Sequence, residues 1–98
     1  MVRNMPRPNK NRTIEAETNA AMRIAWERKV RGWTFEQMAE AMTAAGCSIQ
    51  ASAIYKIEKG DPPRRITVNE LAAVSAVWAM PMETLCAPMP YPLKPGVE

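Results

Sequence analysis

SAIYKIEKG, Ser52–Gly60, decides how this chain is read. Ile54 and Ile57 stand one helical turn apart, while Tyr55, Lys56 and Lys59 fall on the other side of the same turn. A segment divided in this way predicts a helix with an apolar edge, an outward polar row and a stop at Gly60. The outward row either grips a partner or is the wet face of a packing helix, and the sequence around it has to decide.

Upstream, Met22, Ala25, Trp26, Val30 and Trp33 recur at three- and four-residue spacing and predict a first helix that starts near Thr13 or Thr18. Gly32 is expected to end it in the left-handed conformation that glycine takes without penalty. Thr34-Phe35-Glu36-Gln37 has the form of a capping box, in which Thr34 accepts from the Gln37 amide and Gln37 reaches back. Met38, Ala39, Met42 and Ala45 give the second helix its stripe before Gly46. Downstream of the opening stretch, Asp61-Pro62-Pro63 forces a turn, and Thr67-Val68-Asn69-Glu70 repeats the capping-box pattern. Leu71, Val74, Val77 and Trp78 then share a face, and Pro81 suits the first turn of a short last helix through Leu85. The expected fold is all-α, a compact bundle of about five short helices.

Ninety-eight residues suit one small domain. The ends differ from the middle. Residues 1–12 hold Arg3, Arg7, Lys10 and Arg12 with no acid and no apolar period, which predicts a flexible basic arm. Residues 87–98, APMPYPLKPGVE, carry four prolines and predict an extended tail. The folded domain is thus expected over 13–86.

Histidine is absent, and no paired carboxylates or Ser-Lys arrangement stand in for it, so catalysis and a cofactor are not expected. Cys47 and Cys86 are too few for a zinc site; a disulfide is one option, two reduced, partly buried thiols the preferred one. The uncharged, largely apolar stretch Leu71–Met82 falls short of the ~20 residues of a membrane span and contains a proline. No membrane partner and no export signal are expected, which points to the cytoplasm. The net charge of +3 is modest, but Lys56, Lys59, Arg64 and Arg65 crowd residues 50–66, as suits a surface that meets a polyanion on one side.

Two short helices joined by a glycine-containing connection, the second with a clean inside and outside, have the layout of a helix-turn-helix. RGWTFEQMAEAM, SAIYKIEKG and ITVNELAAVSAVWAMPMETL, in that order, resemble the XRE family of helix-turn-helix proteins and the lambda-repressor-like DNA-binding domains of phage repressors. The resemblance covers residues 20–86, and its most specific piece is Ile54-x-x-Ile57-Glu58-x-Gly60 followed by Glu70-Leu71. It implies sequence-specific binding of double-stranded DNA by a transcriptional regulator, most naturally a repressor acting as a homodimer.

In that reading Gln50, Ala51, Ser52, Tyr55 and Lys56 face base edges in the major groove. Gln50 can bond adenine, Lys56 guanine, and Ala51 can touch a thymine methyl. Thr34 and Phe35 at the start of the second helix, with Lys59, Arg64 and Arg65, are expected beside phosphates. Arg7 and Arg12 of the arm are candidates for an adjacent minor groove. The resemblance also implies an ion pair between Arg28 and Glu58. This chain departs from the family in having Phe35 where a phosphate-gripping Gln is common, a longer connection MTAAGCSIQ, Gln50 as the cap before the third helix, and WAMP in place of a glycine-containing turn. The competing expectation is a protein-interaction or antitoxin-like module, with the helices as scaffold and the proline-rich tail docked on a protein partner.

Overall fold

The computed structural model of the protein describes residues 10–90, with side chains from residue 15 onward. Among the described residues the fold is all-helical: α1 (Lys10–Val30), α2 (Phe35–Ala44), α3 (Ala51–Lys59), α4 (Val68–Trp78) and α5 (Met82–Cys86). α1 packs against α5 and α3, α2 against α3 and α4, and α4 against α5. Met38, Ile54, Leu85 and Val74 are the largest fully buried side chains, so α2, α3, α4 and α5 each contribute one residue to the centre of the core.

The capping chemistry sets where α2 and α4 begin. Thr34 Oγ1 accepts from the Gln37 amide at 3.0 Å, and Gln37 Oε1 accepts from the Thr34 amide at 2.8 Å. Thr67 and Glu70 form the same reciprocal pair at 3.0 and 2.9 Å. Each box satisfies two amides that a helix start otherwise leaves without a partner. Gly32 has φ +71°, the left-handed conformation expected after α1.

α1 differs from its sequence reading in start and in face. It begins at Lys10, so neither Thr13 nor Thr18 caps it, and Arg12 belongs to this helix rather than to an arm. Its inward stripe is Ala20, Arg23, Ile24 and Arg28, whereas Met22 and Val30 are exposed. Apolar periodicity missed this face because two of its members are arginines, buried alongside carboxylates that neutralise them. Arg23 donates to Glu27 at 3.3 Å, and Arg28 reaches Glu58.

Smaller shifts occur elsewhere. Ala45 is exposed at the end of α2. In α4 the buried set is Glu70, Ala73, Val74 and Trp78, with Leu71 and Val77 half-buried against the core. Pro81 stands one residue before α5 as its N-cap. The turn after α4 contains no glycine, and Ala79 takes the left-handed conformation there at φ 53°. Cys47 and Cys86 are free thiols, both half-buried. The chain leaves α5 extended at Ala87, with φ −80° and ψ 156°; residues 91–98 of the proline-rich tail lie outside the described residues. No helix among the described residues is long and apolar enough to cross a membrane.

Candidate functional site

The face of interest is built on α3. Ile54 and Ile57 are 1% and 4% exposed and seat the helix on the core. The other side is open: Gln50, Ser52, Tyr55, Lys56 and Lys59 are all exposed, Tyr55 by 49%. Ala51 is half-buried and packs partly against the core, so it is the most recessed of the five residues expected to read bases. Gln50 occupies the N-cap position with no capping bond from its side chain, which leaves its amide uncommitted to the helix.

Beneath this face lies a column of contacts. Arg28 Nε and Nη2 donate to Glu58 Oε2 and Oε1 at 2.8 and 2.9 Å, and Nη1 donates to the Trp33 carbonyl at 2.7 Å. The two side chains are only 7% and 1% exposed. A planar guanidinium matched by a carboxylate and a carbonyl is what makes such a buried pair tolerable. On top of it, the Phe35 ring sits 4.1 Å from the Arg28 guanidinium carbon. The Tyr55 ring meets Phe35 edge-on, with centroids 5.5 Å apart at 73°. Glu58, Arg28, Phe35 and Tyr55 therefore form one stack from the interior to the solvent. The structure brings together the implied ion pair, and it gives Phe35 a neighbour that sequence reading missed.

The residues expected beside phosphates divide into two groups. Thr34 and Lys59 are exposed. The Thr34 hydroxyl oxygen accepts from Gln37, and its proton is left to donate outward. Phe35 is half-buried in the stack and contributes no polar contact, and Glu36, exposed in the same turn, adds a negative charge there.

Arg64 and Arg65, by contrast, are engaged within the protein. Arg64 Nη1 and Nη2 donate to the two Glu70 oxygens at 2.9 and 2.8 Å, and Nη1 also donates to the Arg65 carbonyl. Arg65 Nε donates to both oxygens of Glu17, at 2.8 and 2.9 Å, and the Ile66 amide donates to the same carboxylate. Arg65 nevertheless leaves its side chain 80% exposed, so its charge still faces solvent, whereas Arg64 is held mainly as a structural clamp. The Thr67-Glu70 capping box was the available signal for this clamp, since it placed a carboxylate six residues after Arg64 on a turn that folds back. Nothing in the sequence pointed to Glu17.

These contacts set the carboxyls' protonation. Burial alone pushes the Glu70 carboxyl up, but the hydrogen bonds from Arg64 and Thr67 outweigh it and hold Glu70 below the usual carboxylate range. At Glu17 burial again acts upward and is outweighed by the Ile66 amide and by Arg65, so this carboxyl too is lowered. Both stay ionised at neutral pH.

Arg7 lies outside the described residues, and so does the Arg12 side chain. Among the described residues no group of three or more His, Cys, Asp or Glu side chains converges as a metal site would require. Comparison with protein-family models, with curated proteins and with solved structures gives no match, so the functional reading rests on these residues themselves.

Proposed function

We propose that the protein is a sequence-specific binder of double-stranded DNA, with α2, the connection and α3 acting as a helix-turn-helix that presents α3 to the major groove. The observation that carries this reading is the division of α3: two isoleucines locked in the core, and Gln50, Ser52, Tyr55, Lys56 and Lys59 open together on the opposite side. A helix fits the major groove, and amide, hydroxyl and ammonium groups on its open face match the donors and acceptors of base edges. Thr34 and Lys59 lie at its flanks as phosphate contacts, with Arg65 joining them if the phosphate outcompetes Glu17. Regulation of transcription, as a repressor that occludes a promoter, follows as the biological consequence. A homodimer would set two such helices about 34 Å apart and select a near-palindromic site.

The test is titration against random-sequence duplex at low and moderate salt, followed by selection from a duplex library. A protein that binds duplex through its phosphates loses affinity steeply as salt rises, because bound counterions are released. No binding even at low salt would defeat the reading. One observation favours a second reading, that of a protein-interaction or antitoxin-like module: Arg64 is spent on Glu70 and Phe35 replaces a polar phosphate contact, which thins the positive charge around α3. Absent DNA binding would favour it.

A further inference from the structure

The stack under Tyr55 has a consequence for what α3 can discriminate, provided that α3 reads DNA as proposed. Ala51 and Tyr55 are one turn apart on α3 and face the same way. An exposed tyrosine on a helix ordinarily has rotamer freedom to lose on binding. Here the ring is held on one side by Phe35, which itself lies on the guanidinium that Glu58 fixes. The half-buried methyl of Ala51 and the exposed ring of Tyr55, packed on one side by Phe35, are thus carbon surfaces one turn apart on a face that otherwise carries the polar side chains of Gln50, Ser52 and Lys56. Among the groups displayed in the major groove, the one without hydrogen-bonding capacity is the C5-methyl of thymine.

We propose that Ala51 and Tyr55 form a notch for a thymine C5-methyl group, and that Phe35 is a positioning residue that keeps the notch open. The chemistry is burial of one methyl against carbon on both sides, with the ring placed beforehand so that little is lost in ordering it. Phe35 then has a function at a position where a polar residue would instead grip a phosphate. Its contribution is to base discrimination, and the electrostatic part of binding should not depend on it.

The experiment uses the full chain and a duplex won by selection, in which each thymine in turn is replaced by deoxyuridine, which lacks only the methyl. One thymine per half-site should show a penalty of roughly four-fold in Kd, the value of one buried methyl. Tyr55→Ala should abolish that penalty, and Phe35→Leu should bring it below two-fold while leaving the dependence of Kd on salt unchanged. Thermal unfolding of both variants verifies that they fold; Tyr55 is half-exposed, so its variant keeps the test available should Phe35→Leu unfold. Selective binding that is indifferent to uracil at every position overturns the notch but leaves DNA binding standing. A uracil penalty that survives Tyr55→Ala also overturns it. Failure to bind or select any duplex overturns the DNA-binding reading, and the notch with it.

Discussion

Two bidentate arginine–carboxylate pairs hold this molecule around the C-terminal end of α3, one through Nε and Nη2 and the other through both terminal nitrogens, and they do different work. Arg28–Glu58 ties α1 to α3 from inside, with both side chains almost wholly removed from water. Arg64–Glu70 ties the linker after α3 to the start of α4, and its arginine remains 34% exposed. The inner pair also carries the Phe35–Tyr55 stack, so it fixes the open face of α3 as well as the fold. The outer pair shares its carboxylate with a helix cap, so it orders a connection. Identical chemistry thus serves packing in one place and chain direction in the other, and burial is what separates the two roles.

The largest expected effect comes from breaking the inner pair. Glu58→Ala leaves a buried guanidinium with only the Trp33 carbonyl as a polar partner, and should cost about 3 to 5 kcal/mol in urea denaturation. For a domain of this size that is a large part of the whole stability. A loss under about 1 kcal/mol would show that water reaches Arg28 freely and that the two pairs are alike after all. Glu70→Ala removes the partner of Arg64 and half of a capping box together, and should cost about 2 kcal/mol, less than the inner change because Arg64 can turn to solvent.

Acid sharpens the contrast. The Glu70 carboxyl titrates lower in the folded protein than in the unfolded chain, so its contribution is fully present above the usual carboxylate range and is lost as pH falls through the folded-state value. The stability gap between the wild type and Glu70→Gln should therefore be constant near neutral pH and shrink on acidification below that range. A gap that widened would reverse the assigned sign.

Between the pairs lies Gly60. A Cβ added there would stand 2.5 Å from the Lys56 carbonyl oxygen and 3.0 Å from that of Pro62, both backbone atoms that cannot swing aside. Gly60→Ala should cost about 1 to 3 kcal/mol by forcing the linker away from α3. The smallest effect is expected from Arg65→Ala, since an ion pair as exposed as Arg65–Glu17 contributes under about 0.5 kcal/mol. If phosphates do draw Arg65 away from Glu17, the same variant should weaken binding to all duplex sequences alike and lower the salt dependence by about one phosphate.

The contrast between the pairs also marks how far the sequence was legible. The starts of α2 and α4 could be read because a capping box is a local pattern, complete within four residues. The division of α3 could be read because its two isoleucines sit in a short segment bounded by glycine. Arg28–Glu58 came from family resemblance, and its 30-residue separation put it beyond any spacing argument. The face of α1 was misread because periodicity counts apolar residues, while Arg23 and Arg28 occupy inward positions and Met22 and Val30 point out. Arg64 was read as a free cation for a related reason, since the capping box accounted for Glu70 through Thr67 alone and left its pairing with a cation six residues earlier unread. Such misreadings share one source, the withdrawal of charge from solvent by a carboxylate partner, near in sequence for Arg23 and Arg64 and distant for Arg28.

The unassisted start of α3 bears on what can be cut from this protein and still work. Its neighbours α2 and α4 each begin with a reciprocal box, whereas Gln50 contributes no side-chain bond to its own helix. Nine residues without that help are too few to hold a helix in water. A synthetic peptide copied from this region would be a coil, and its Gln, Ser, Tyr and Lys would point nowhere in common. Whatever α3 contacts, it can do so only as part of the assembled bundle.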